Sequence, residues 1–195
     1  MKSRAIFLDR DGTVSYEVGY MNHVSRLKVM PESAEAIRWI NGSGFKAVLV
    51  TNQSGVARGY FAEPLIHQVH DSLSRQLAEK GARLDGIYYC PHHPREGEAP
   101  WRRECECRKP ATGMLERACS ELGLEMQGSY MVGDTMTDLR TARNAGVTGI
   151  LVLTGYGQGE FDHRSHHWPF RPDHIAADLR DAVRWILQRE GMPAP

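Results

Sequence analysis

Five stretches of the chain are apolar without interruption: residues 5–8, 47–50, 87–89, 130–132 and 150–153. Continuous rather than alternating runs are what strands need when both faces of a sheet are covered, as in a parallel sheet. Between them the spacing turns helical. Ile66, Val69, Leu73 and Leu77 share one face, with Pro64 suited to a first turn. Leu115, Ala118, Cys119 and Leu122 make a second face ended by Gly123. A third carries Leu179, Val183 and Ile186, with Asp178 placed to cap it. Strands alternating with helices predict a doubly wound, Rossmann-like α/β domain whose ligands sit at the carboxyl ends of a parallel sheet. Asp9, Thr51 and Asp134 each follow an apolar run, where that crevice would lie. The whole chain, 1–195, reads as a single domain. Residues 155–173, rich in Gly, His, Pro and Arg, read as an irregular surface loop, and 192–195 as a frayed tail.

Composition changes the picture mainly by exclusion. Lys and Arg number 24 against 24 Asp and Glu, so no basic excess recommends a nucleic-acid partner. No apolar run approaches the ~18 residues of a membrane span, and a core strand begins too early to leave room for a signal peptide. The expectation is a soluble, cytoplasmic monomer with no membrane partner. Four cysteines in such a chain suit metal or core roles better than disulfides.

Candidate chemistry lies in four short segments: Asp9-Arg10-Asp11-Gly12-Thr13, Thr51-Asn52-Gln53, Arg108-Lys109-Pro110 and Gly133-Asp134. Two carboxylates one residue apart can face one ligand if the backbone turns, and Gly12 allows the turn. One can attack phosphorus; the other can protonate the leaving group and then activate water. Two such anions beside a phosphate need a hard divalent cation, for which magnesium is the natural choice and Asp134 a further ligand. Lys109 offers a point charge for the phosphoryl group, and Thr51 a hydroxyl and a backbone N–H.

A second constellation is Cys90-Pro91-His92 and Cys105-Glu106-Cys107, with 12 residues between His92 and Cys105. Three thiolates and an imidazole make a closed tetrahedral set suited to structural zinc. His93 is an alternative imidazole. Because Cys107 directly precedes Arg108-Lys109, clamping this loop, residues 90–107, would hold both cations toward the phosphate. Cys119, on an apolar helix face, reads as a core residue.

The order Asp-x-Asp-Gly-Thr, Thr, Lys and Gly-Asp-x-x-x-Asp resembles the haloacid dehalogenase (HAD) superfamily. The resemblance implies Asp9 as nucleophile and Asp11 as general acid/base. It implies magnesium on the Asp9 carboxylate, the Asp11 backbone carbonyl and Asp134. Thr51 and Lys109 would steady the phosphoryl oxygens, with Asp138 orienting Lys109. The acid at position 11 marks phosphatases and phosphomutases within the superfamily. No segment between Thr13 and Thr51, or between Gly59 and Cys90, is long enough for a separate cap domain, so an open site is expected.

The zinc loop is similar to that of two branches, and the family pattern favours His92 as its imidazole. Histidinol-phosphate phosphatases have a shorter loop and a Thr-Asn-Gln-Asp-Gly motif. Over about residues 4–155 this chain looks instead like the D-glycero-D-manno-heptose-1,7-bisphosphate 7-phosphatases, on Thr51 to Gly59, Gly86 to Pro94 and Ser129 to Asp134. That resemblance implies a small sugar bisphosphate, with the β anomer expected, cleaved at C7 on the route to ADP-heptose and lipopolysaccharide core. It assigns substrate contacts to Glu17, Val18, Gly19 and Tyr20, to Thr51, Asn52, Gln53 and Ser54, and to Arg108 and Lys109, Arg108 reaching the distal phosphate. The alternatives are a histidinol-phosphate phosphatase or a broader sugar-phosphate phosphatase. Arg58 reads equally as an anion contact or a loop tie. One departure is Thr135, where the family pattern has Lys, which removes a positive charge beside Asp134. His163, His166, His167 and His174 read as a solvated loop, with a second metal site as the alternative.

Overall fold

The computed structural model describes residues 3–193, and all its strands join one six-stranded sheet. In chain order the elements are β1 (Ser3–Leu8), α1 (Ser33–Ser43), β2 (Lys46–Asn52), α2 (Pro64–Ala78), β3 (Gly86–Cys90) and α3 (Gly113–Leu122). They continue with β4 (Leu124–Gly133), α4 (Met136–Ala145), β5 (Thr148–Val152), α5 (Gly157–Arg164), β6 (His174–Ala176) and α6 (Leu179–Arg189). The strand order is β3-β2-β1-β4-β5-β6, and every pairing is parallel. The order reverses direction between β1 and β4, which opens a crevice at their carboxyl ends.

The pleat of β1 divides the core. Ile6 and Leu8 face a cluster built with Ile37 and Ile40 of α1, Leu73 and Leu77 of α2, and Val183 and Ile186 of α6. Ala5 and Phe7 face the opposite cluster, with Met114, Leu115 and Ala118 of α3 and Ala142 of α4. Cys119 packs against that second cluster, as its helical position predicts. Both faces of the sheet are covered, so the continuous apolar runs have their cause. Truncating a leucine such as the fully buried Leu73 to Ala costs about 2–5 kcal/mol at such a site.

Three expectations need correction. Residues 155–173 are not wholly irregular, since α5 and a short 3-10 turn, Ser165–His167, lie within them. Only Gly157 of α5 is buried, so no apolar stripe announced the helix. β4 begins at Leu124, not at 130, because a register shift opposite β1 accommodates the polar residues before Tyr130. Met192 is not frayed: its N–H donates to the Leu187 carbonyl at 2.9 Å and its side chain packs on the core. Residues 194 and 195 of the expected tail lie outside the described residues. Among the described residues no helix is long and apolar enough to cross a membrane.

Candidate active site

The site is assembled where three loops meet beyond β1, β4 and β5. The Asp9 N–H donates to the Val132 carbonyl at 3.0 Å, which ties the loop after β1 to β4. Gly12 turns that loop at φ 80°, a left-handed conformation costly for other residues. A Cβ there would stand 2.1 Å from Asp134 Oδ2, so the position also needs glycine for the approach of that carboxylate. Thr154 after β5 donates its hydroxyl to the Gly12 carbonyl at 2.6 Å, and the Tyr156 N–H donates to Asp134 Oδ2 at 2.8 Å.

These ties bring Asp9, Asp11, Thr51, Lys109, Asp134 and Asp138 to the wall of one cavity of about 310 Å³. Lys109 Nζ lies 2.9 Å from Asp9 Oδ1 and 2.6 Å from Asp138 Oδ1, and is almost fully buried. Burial alone would lower its pKa, but Asp138 and Asp9 together hold it above the ordinary lysine value. Three carboxylates, Asp9, Asp134 and Asp138, share this floor against one ammonium. Burial, reinforced by Asp9 and Asp138, pushes the Asp134 carboxyl up to about 8. Burial raises Asp9 to about 7, with Lys109 opposing the rise and Asp138 and Asp11 adding to it.

The Asp138 carboxylate has a second duty. Its Oδ2 accepts from the Thr135 N–H at 3.1 Å and the Thr135 hydroxyl at 2.6 Å, in the capping box that starts α4. Thr135 therefore contributes a cap where a lysine would contribute charge.

Two residues expected at the substrate are occupied inside the protein. Asn52 donates to the Lys109 carbonyl at 3.1 Å and accepts the Lys109 N–H at 3.0 Å, fixing the backbone that carries the cation. Gln53 spends its amide donors on Asp11 Oδ2 at 3.0 Å and Thr51 Oγ1 at 2.8 Å, while its carbonyl accepts from Arg10 at 3.0 Å. Asn52 and Gln53 nevertheless line the cavity, together with Glu17, Gly19, Tyr20 and Ser54. Val18 does not; it packs against the core. Arg108 is also absent from the cavity wall, and its guanidinium donates to the His92 carbonyl at 3.1 Å instead. Thr135, already marked as a departure beside Asp134, lines the cavity, and Thr137 and Tyr156 line it unanticipated. Position just beyond β4 and β5 was the available signal for them.

Cys90, His92, Cys105 and Cys107 converge on one point beside this site. Sulfur–sulfur distances are 3.2, 3.4 and 3.5 Å, and His92 Nδ1 lies 3.3 and 3.6 Å from Cys107 and Cys90. This group could hold a metal ion. His93 is turned away: its Nε2 meets Arg58 at 3.2 Å and its Nδ1 accepts the N–H groups of Arg95 and Glu96. Arg58 is thus a loop tie, also 3.8 Å from Glu96. The four histidines of the later segment form no such group among the described residues, and His174 stacks on Trp185 at 4.3 Å.

Fold and site together define a HAD-like hydrolase, and a family model described as HAD-hydrolase-like matches residues 106–182. A D-glycero-D-manno-heptose-1,7-bisphosphate 7-phosphatase of Thermosynechococcus vestitus is 43% identical over 194 residues, covering 95% of this chain and 96% of that protein. The D-glycero-beta-D-manno-heptose-1,7-bisphosphate 7-phosphatase of Escherichia coli is 44% identical over 152 residues, 77% of this chain and 80% of that one. Among solved structures, the D,D-heptose 1,7-bisphosphate phosphatase from B. bronchiseptica, complexed with magnesium and phosphate, matches with a TM-score of 0.83. It is 32% identical, and the match covers 95% of this chain and 99% of that one. The chain belongs to the D-glycero-D-manno-heptose-1,7-bisphosphate 7-phosphatase family.

Proposed function

We propose that the protein is a magnesium-dependent phosphatase that removes the C7 phosphate of D-glycero-β-D-manno-heptose 1,7-bisphosphate and leaves heptose 1-phosphate. The observation that carries this reading is the convergence of Asp9, Asp11, Thr51, Lys109 and Asp134 on one cavity, in a chain so similar to heptose-bisphosphate phosphatases. Neither of the alternatives, a histidinol-phosphate or a broad sugar-phosphate phosphatase, has a comparable observation in its favour.

Asp9 is the nucleophile. One of its oxygens bonds to the C7 phosphorus, the bond from phosphorus to the C7 oxygen breaks, and Asp11 gives that oxygen a proton. Water then attacks the aspartyl-phosphate, Asp11 takes the water proton, and the bond between phosphorus and Asp9 breaks to release phosphate. Lys109 places one positive charge beside the transferring group, and Thr51 supplies a hydroxyl.

The excess of carboxylates over ammonium at the cavity floor suits a hard dication, and the ligands would be the carboxylates of Asp9 and Asp134 with the Asp11 backbone carbonyl. Bound there, magnesium supplies charge neutralisation for the phosphoryl oxygens. The sulfur and imidazole atoms stand 3.2–3.6 Å apart, a few tenths of an ångström inside the about 3.5–3.8 Å of ligands at ~2.0–2.3 Å in a tetrahedron, so a slight expansion would admit zinc. With four protein ligands that ion would be structural, bracing the turn that carries Lys109.

The test is kcat/KM with magnesium on both anomers of the bisphosphate and on histidinol phosphate. The expected result is a strong preference for the β bisphosphate, abolished in a folded Asp9→Asn variant. Equal, feeble rates on all three, or full activity in that variant, would contradict it.

A further inference from the structure

Arg10, between the two aspartates of the first motif, is 1% exposed and takes no part in the chemistry above. Its guanidinium grips Asp11 side-on: Nε donates to Oδ1 at 3.1 Å and Nη2 to Oδ2 at 2.6 Å. A planar fork of this kind fixes the plane of a carboxylate as well as its position. The fork is itself braced. Nη2 also donates to Gln53 Oε1 at 3.0 Å, and Nη1 lies 3.3 Å from His70 Nε2. A guanidinium has only donors, so His70 accepts at Nε2 and is neutral there, with its proton on Nδ1. Burial first, then Arg10, lowers His70 to about 3, consistent with a neutral ring.

An ionised carboxylate offers about four lone-pair directions. On Asp11, Oδ2 accepts from both Arg10 and Gln53 while Oδ1 accepts only from Arg10. Three directions are therefore taken, and the unengaged one belongs to Oδ1. The carboxylate nevertheless keeps 16% of its side-chain surface and lines the cavity.

We propose that Arg10, braced by Gln53 and His70, is the positioning residue that sets the Asp11 carboxyl for proton transfer and leaves Oδ1 as the oxygen that delivers and recovers the proton. This rests on the phosphatase reading, with Asp11 as the general acid/base. The Arg10 side chain is absent from the cavity wall and acts only through the Asp11 carboxyl it holds, while its backbone N–H donates to Asp9 Oδ1 at 2.7 Å. It acts on the step in which the C7 oxygen leaves with the electron pair of the broken P–O bond and takes the proton from Asp11.

Leaving-group chemistry separates this role from a merely structural one. A sugar alkoxide needs the proton, whereas p-nitrophenolate leaves without it. The experiment compares kcat/KM, which reports steps through formation of the phosphoenzyme, on heptose 1,7-bisphosphate and on p-nitrophenyl phosphate for the magnesium-loaded wild type, Arg10→Lys and Arg10→Met. Loss of positioned general acid catalysis is worth about 10²–10⁴-fold, so both variants should lose at least about 10²-fold on the bisphosphate and under about fivefold on the aryl ester. Lysine restores the charge but not the fork, so it should not restore the ratio. His70→Leu removes a brace and leaves the fork; it should move the ratio the same way by about tenfold, and serves where Arg10 variants do not fold. Equal losses on both esters in the folded variants would overturn the positioning role while leaving the phosphatase reading intact. A wild-type enzyme inactive on both esters would defeat both.

Discussion

At the scale of single residues, the site depends on close approaches that few side chains allow. Gly12→Ala adds a methyl group where Asp134 Oδ2 already stands and at a left-handed φ. It should displace Asp134 and raise the magnesium concentration for half-maximal activity by about tenfold or more, read from an activity titration. Asp138 holds Lys109 with one oxygen and the start of α4 with the other. Asp138→Asn keeps an acceptor for Thr135 but removes the charge, whereas Asp138→Ala removes both. Both should lower kcat, and Ala should cost about 1 kcal/mol more than Asn in urea unfolding, the worth of a cap; equal stabilities would deny the capping role. Asp9, Asp11, Thr51, Lys109 and Asp134 were legible because their types and order recur around one chemistry. Arg10 was not legible, since a charged residue in a turn reads as solvated and its burial depends on Gln53 and His70, distant in sequence. The placement of Arg108 was not legible for the related reason that a cation beside Lys109 gives no hint of the His92 carbonyl it binds.

At the scale of elements, the chain announces itself where burial is two-sided and hides where it is not. Most residues of β1, β2 and β5 are buried, and their runs were plain. β6 is three residues long, begins with a histidine and has one buried member, Ala176, so no pattern marked it. The loop after β3 is legible for a different reason: cysteine pairs are rare enough to speak through spacing alone. Cys107→Ala should lose one bound zinc by elemental analysis, lower the melting temperature and reduce kcat through the displaced Lys109. Cys119→Ala, on α3 and outside the cluster, should retain the metal. Retention of zinc by the Cys107 variant would refute the assignment.

For the whole molecule, overall neutrality conceals a concentrated local charge. The chain balances 24 basic and 24 acidic residues, yet three carboxylates crowd the cavity floor around one lysine. Asp9 and Asp134 have folded pKa values raised to about 7 and about 8 from an ordinary 3.8. Without metal, the stabilisation they give is full below about pH 4 and is lost as pH rises through 7 and 8. A dication competes with those protons, so the gain in melting temperature on adding magnesium should be larger at pH 8 than at pH 5.5. A gain independent of pH would mean that magnesium binds elsewhere. The central claim concerns which ester this charged floor cleaves. Phosphorus NMR of the magnesium-loaded enzyme acting on D-glycero-β-D-manno-heptose 1,7-bisphosphate tests it most directly. The account predicts loss of the C7 monoester resonance, growth of inorganic phosphate, and an anomeric C1 phosphate that persists; loss of the C1 phosphate first, or no turnover, would contradict it.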